Sequence, residues 1–272
     1  MSPRSVQIGT STLLLLVCVG LAACTSAGAP SASAGAPSAT RPAVLPQGDD
    51  AVDLDPADFT VNIDNEYWPM RPGTQWVYRE TEGGDVFTVT VTVTTATKKI
   101  ANGVTARVVR DTVMRGEEIV EDTFDWYAQD ATGNVWYLGE DTAEFENGEV
   151  VSTEGSFEAG VDGALPGVIV PADPRPGLAY RQEYLKGKAE DNGEVLSVNE
   201  QVDVPTGHAD HVLLTKDTIT IEPDVLEYKL YAPGVGPVLT LGMSGGSGRE
   251  ELISVTQVPD GTGTGPLGQP NG

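Results

Sequence analysis

Few residues in this 272-residue chain stand at spacings that could do chemistry. Gly242-Met243-Ser244-Gly245-Gly246 has the Gly-x-Ser-x-Gly spacing that lifts a nucleophilic serine onto a strand-to-helix turn. That turn needs a helix after the serine and a histidine later in the chain. Here Gly and Ser residues follow, then the strand-like run Glu251 to Val258, and both histidines precede the serine. The pattern therefore reads as a hairpin loop. His208-Ala209-Asp210-His211 would share one face of a helix and could ligate zinc. It leads into Val212-Leu213-Leu214, which reads as a strand, where residues three apart point to opposite faces. Zinc would also need a further ligand from elsewhere in the chain, so no metal is expected. Asp49, Asp50, Asp53, Asp55 and Asp58 offer the hard oxygens calcium uses. They lack the glycine bend and the closing bidentate Glu of a calcium loop and read as the charged end of a linker. With 40 acidic residues, any two carboxylates could meet, so composition singles out no acid–base pair for glycoside cleavage. Trp68, Trp76, Trp126 and Trp136, with Tyr67, Tyr78, Tyr127 and Tyr137, could stack on a sugar or line a lipid cleft. Trp76 and Trp126 lie in alternating patterns, which favours packing. Trp68 precedes Pro69 in an irregular segment and is expected at the rim of any ligand site.

The one chemical assignment the sequence makes sharply is at Cys24. A single positive charge at Arg4 and an apolar run from Ile8 to Gly20 precede Leu21-Ala22-Ala23-Cys24. This is the layout of a secretory signal peptide, and the small residues directly before a cysteine resemble the lipobox of bacterial lipoproteins. That resemblance implies cleavage after Ala23, acylation of Cys24 and a membrane tether on the outer face of the cell membrane. An apolar run of about 13 residues is short for a permanent bilayer span.

Composition sets further limits. Lys and Arg total 16 against 40 Asp and Glu, a formal charge of −24. Loss of residues 1–23 removes one Arg and no acid. The acidity is spread along the chain, with no basic stripe, which excludes nucleic acid as a partner. Cys18 leaves with the signal peptide and acylation occupies Cys24, so no disulfide is expected and stability must come from an apolar core. No cofactor is expected, and the chain is expected to be a monomer.

The elements that must position any site are strands. Phe87 to Thr94 alternates Phe or Val with Thr; Val120, Phe124 and Trp126 alternate with Glu121, Thr123 and Asp125; Leu196, Val198, Val202 and Val204 continue the pattern. Gly83-Gly84, Asn102-Gly103, Thr132-Gly133, Asn147-Gly148 and Asn192-Gly193 punctuate these runs as hairpin turns. The prediction is an all-β antiparallel meander in residues 58–257. Residues 24–57, rich in Ala, Ser, Pro and Gly, are expected to be a disordered linker, and 258–272 a disordered tail. An internal repeat adds to this. Pro72-Gly73 and Trp76 correspond to Pro176-Gly177 and Tyr180 at an offset of 104, as do Phe124 with Tyr228 and Tyr127-Ala128 with Tyr231-Ala232. Leu138-Gly139 corresponds to Leu241-Gly242 at 103, and Arg110-Asp111-Thr112 resembles Lys216-Asp217-Thr218. Two similar halves, about 73–139 and 177–242, would form a curved or two-lobed sheet of the clam or half-barrel kind, joined by an irregular loop, 152–176.

The opening Tyr67-Trp68-Pro69-Met70-Arg71-Pro72-Gly73-Thr74-Gln75-Trp76-Val77-Tyr78 resembles a signature of secreted actinobacterial-type lipoproteins of uncharacterised activity, in which it precedes a β-rich domain. Asp125-Trp126-Tyr127-Ala128-Gln129-Asp130, Ser152 to Phe157 and Tyr231 to Gly236 resemble further segments of that family. The architecture this implies is analogous to lipoprotein-carrier clams, and it assigns no reaction. Three classes of function follow: a non-catalytic binding or accessory lipoprotein for a small apolar or amphipathic ligand or an envelope partner, a secreted hydrolase or lyase, and a structural module. The first is preferred, and an enzyme is not expected. The ligand is expected between the halves, near Phe157, Leu165 and the 152–176 segment, with Trp68 at the rim.

Overall fold

The computed structural model of the chain describes residues 44–244 and 248–269. Cys24 and the glycines of the Gly-x-Ser-x-Gly pattern after Ser244 lie outside them. The alternating runs form long strands: β2 (Thr74–Glu82), β3 (Asp85–Lys99), β4 (Thr105–Arg115), β5 (Glu118–Asp130) and β6 (Val135–Glu146) follow one another by tight turns, after a two-residue β1 (Phe59–Thr60). A second series comprises β12 (Asp191–Val204), β13 (Gly207–Ile219), β14 (Leu226–Ala232), β15 (Gly236–Ser244) and β16 (Arg249–Gln257). Between the series lie β7 (Glu149–Ser152), β8 (Phe157–Glu158), β9 (Leu165–Val170), β10 (Ala179–Arg181) and β11 (Glu183–Tyr184). Turn chemistry is as expected at β6–β7, where Asn147 and Gly148 both hold positive φ, 52° and 80°.

All pairings are antiparallel and join the strands in the order β10-β12-β13-β14-β15-β16-β2-β3-β4-β5-β6-β9-β11. The two ends of this path belong to one stretch of chain. Residues 179–181 pair with β12 and residues 183–184 with β9, with Gln182 between them donating its N–H to Asp191 O at 2.7 Å. The sheet thus curls into a nearly closed half-barrel. Closure is tight: a Cβ on Gly167 of β9 would lie 2.2 Å from Gln182 O, and one on Gly193 of β12 would lie 2.6 Å from the Tyr180 ring.

Strand order runs alike in β2–β6 and in β10-β12-β13-β14-β15. Gly73 and Gly177 both donate to a strand carbonyl at 2.8 Å, of Val93 and Val195 respectively. Arg110 and Asp111 face Phe124 and Thr123, while Lys216 and Asp217 face Tyr228 and Glu227. The halves part after the next turn. Ala128 faces Trp136 but Ala232 faces Gly236, a turn four residues shorter. Leu138-Gly139 and Leu241-Gly242 therefore occupy different rungs, and the rung partner of Asp125 is Glu140 where that of Lys229 is Thr240.

Two segments expected to be disordered are built into the globule. Leu45 is buried, and Arg181, fully buried, donates to the carbonyls of Gly48, Asp50 and Pro166. The tail residues Gly263, Gly265 and Pro266 accept from Arg110, whose guanidinium also pairs with buried Asp122. A buried guanidinium needs several oxygens, and these otherwise featureless stretches supply them. The segment 152–176 is likewise not an irregular loop, since β8 and β9 within it both pair with β6.

Candidate functional site

Alternation places one residue in two on the inner, concave face. At one end of the half-barrel that face is closed by the segment between β1 and β2. Ile63 and Met70 form a bridge. Asn65 donates to Gly133 O at 2.9 Å and to Pro171 O at 3.3 Å, Glu66 O accepts from Gly234 N–H at 2.7 Å, and Tyr67 donates to His211 O at 3.4 Å. These anchors include the turns after β5 and after β14, which lie at the same end of the sheet. The plug holds Trp68 against Tyr127 and Tyr231, with ring centroids 5.5 and 6.1 Å apart. Tyr127 stacks on Tyr137 at 5.0 Å, and Phe157 meets Tyr137 edge-on at 5.4 Å.

Above this aromatic floor lies a cavity of about 200 Å³. Its apolar wall is Trp68, Tyr78, Tyr127, Tyr231, Val91, Val109, Ile169 and Pro237. Its polar wall is Asp111, Asp125, Glu250, Thr240 and Lys229. A second cavity of about 130 Å³ shares Thr240 and Glu250 with the first and adds Glu80, Glu82 and Glu227. The inner face breaks the usual rule for facing strands, on which like charges directly opposite are destabilising. Glu80 faces Glu250, Asp125 faces Glu140 and Asp217 faces Glu227.

The consequences for ionisation follow from burial and crowding. Burial, then repulsion from Asp125 and Glu250, holds the Asp111 carboxyl well above the usual carboxylate range. Burial, then Glu80, pushes Glu250 up to about 7. Asp125 and Glu140 share the Tyr137 hydroxyl at 2.8 and 2.5 Å; burial raises both, and each is raised further by neighbouring carboxylates. At the seam, burial raises Glu183 and Asp191, which hydrogen-bond each other. Lys229 lies 3.1 Å from Asp217 and 3.6 Å from Glu227. Burial alone would lower its pKa, but these two acids hold it above the ordinary value, so its ammonium stays charged.

Of the residues singled out in the sequence, Trp68 lines the cavity. Phe157 is buried behind Tyr137, away from the lining, and Leu165 opens β9 opposite Tyr184, also away from it. The structure does not bring the three into one site. Ser244 donates to Asp224 O at 2.7 Å, far in role from a nucleophile paired with a base. His208 is tied to Asp203 at 2.9 Å and to Asp210 at 3.4 Å on the surface, and His211 to Asn199 at 2.9 Å. Among the described residues, no group of three or more His, Cys, Asp or Glu side chains could hold a metal ion. The inner carboxylates were missed because each looks like an ordinary surface acid. The available signal was an acid standing where alternation demands an apolar residue, as in Val109-x-Asp111-x-Val113.

No protein-family model matches the chain, and no curated protein matches it. Among solved structures it is similar to a candidate exported protein with a YmcC-like fold from Bacteroides fragilis, at 15% identity and a TM-score of 0.43, covering 71% of this chain and 100% of that one. It is also similar to a candidate lipoprotein from Parabacteroides distasonis, at 12% identity and a TM-score of 0.39, covering 71% of this chain and 99% of that one. At these scores neither likeness speaks to ligand or role.

Proposed function

We propose that this chain is an extracytoplasmic lipoprotein, tethered through Cys24, that binds a small amphipathic ligand in the lumen of its half-barrel. The observation that carries the reading is the cavity itself: an aromatic floor, apolar walls and a few convergent polar groups, which is how small-molecule sites are usually built. The signal sequence and lipobox-like Leu21-Ala22-Ala23-Cys24 support the address. Purification from the native host followed by native mass spectrometry is the test. The expected result is a retained mass that disappears in Trp68→Ala combined with Tyr127→Ala. Protein that carries no retained mass, and whose melting temperature no amphipathic probe raises, would remove this reading.

A second reading has one observation in its favour. Asp125 and Glu140, both with raised pKa values, meet at one hydroxyl, and a carboxyl pair of that kind can act as acid and base. Turnover of a cell-surface substrate that is lost in Asp125→Asn would establish it.

A further inference from the structure

The two halves treat one position differently, and the difference names a charge. In the second half, inward-facing Asp217 has Lys229 as a diagonal neighbour across the β13–β14 ladder, with the ammonium 3.1 Å from the carboxylate. In the first half the counterpart of Asp217 is Asp111, and the counterpart of Lys229, 104 residues earlier, is Asp125. Asp111 thus meets an acid where Asp217 meets an ammonium. Asp111 Oδ1 is buried with no hydrogen-bond partner, although its side chain lines the 200 Å³ cavity. A buried carboxyl oxygen without a partner is costly, and no side chain among the described residues relieves it. Lys229, the one cation on the cavity wall among the described residues, is already committed to Asp217 and Glu227.

Resting on the binding reading above, we infer that the ligand is an organic cation, an ammonium on an apolar or aromatic body. Its charge sits against Asp111, Asp125 and Glu250, taking the place Lys229 holds in the other half. Its body lies on Trp68, Tyr127 and Tyr231. The aromatic faces suit a cation as well as a hydrocarbon, since the ring quadrupole attracts positive charge. Trp68 Nε1 is also buried without an acceptor, so an oxygen at the far end of the ligand would find a donor. Burial and then crowding raise the Asp111 and Glu250 carboxyls; a cation beside them would lower them again, so binding should release protons.

Three molecules of one shape separate the possibilities: tyramine, the neutral alcohol tyrosol, and the anion 4-hydroxyphenylacetate, titrated calorimetrically into the full soluble domain. Tyramine should bind at least about tenfold more tightly than the other two, with proton release visible as a dependence of the heat on the buffer. Asp111→Asn should weaken tyramine at least about tenfold while leaving the melting temperature of the empty protein at neutral pH nearly unchanged, because the amide is close in size and charge to the protonated carboxyl it replaces. Asp125→Lys, which installs the missing ammonium, should abolish tyramine binding. Equal or tighter binding of tyrosol or the anion, or a retained native ligand that is neutral or anionic, overturns the inference and leaves the binding reading standing. A retained native ligand that is a cation supports it even where tyramine is too short. Failure of all three probes, with no retained mass in native protein, overturns both.

Discussion

The inner carboxylates make an unusual prediction: the empty protein should lose stability as pH rises from 5 to 8. Glu250 shows why. Its pKa rises from an ordinary 4.5 to about 7 on folding, so the folded chain holds that proton about 3 kcal/mol more tightly than the unfolded one. A raised folded pKa contributes stability that is complete below the unfolded value and is lost as pH climbs through the folded one, here the window from about 4.5 to about 7. Glu250 is half-buried, and solvent screening of such a group trims the figure to about 2 kcal/mol. For a domain of this size that is about 4–8 °C in melting temperature. Glu80, Asp111, Asp125 and Glu140 are raised in the same direction, so the slope of the whole protein should be steeper than that of Glu250 alone. The groups of opposite sign, Asp130 and Glu251, have lowered pKa values. Their contribution is lost only as pH falls through those lowered values, below this window. The assay is a series of thermal melts at fixed ionic strength, with Glu250→Gln beside the wild type. The variant should lose part of the slope and be the more stable of the two at pH 8. A wild-type melting temperature that is flat or rises between pH 5 and 8, or a variant with an unchanged slope, would refute the reasoning.

Cys24→Ser should abolish incorporation of labelled fatty acid and release the chain or stall its processing; wild-type protein that never takes label would exclude the tether. Phe157→Ala removes a buried ring that closes on Tyr137 and should cost about 3–5 kcal/mol in denaturant unfolding, whereas a residue that only contacts ligand would leave the empty protein's stability unchanged. Gly167→Ala puts a methyl against the backbone of Gln182 and should destabilise the closure of the half-barrel, read as loss of amide protection in β9 and β11 ahead of β2–β5. Truncation after Pro259 strips Arg110 and Asp122 of their tail partners and should cost about 3–5 kcal/mol, as breaking up a buried charged network does; a tail without structural role would give no change.

Fold class was legible because it rests on period. Val and Phe alternating with Thr and Glu over eight or more residues fit only half-buried strands, and Asn-Gly and Gly-Gly pairs fix where they turn back. Closure was not legible. It depends on Ala179 to Tyr184 changing partner from β12 to β9 within six residues, and nothing local to that stretch announces two partners. The fate of the linker end and the tail was hidden for a related reason. Composition measures what a segment can bury on its own. What holds residues 45–50 and 263–268 is the need of Arg181 and Arg110, distant in sequence, for backbone oxygens.

The lumen shows the same limit from the other side. Trp68 draws notice because Pro69 breaks the pattern around it, but Asp125 stands on the polar face of its alternating run, where an acid is assigned to solvent by default, and only Asp111, between Val109 and Val113, interrupts an apolar face. The half-barrel turns that default round. Its concave face is inward yet lines cavities, so acids there are neither core nor surface. Their cost is visible in acid-on-acid rungs such as Glu80–Glu250, Glu121–Glu144 and Asp125–Glu140, and in one orphaned oxygen. A scaffold alone does not require this cost, as the second half shows by placing Lys229 against Asp217. Local rules broken without compensation inside an otherwise consistent fold mark places where function sets the residue. The proposed cation would supply at Asp111 what Lys229 supplies at Asp217.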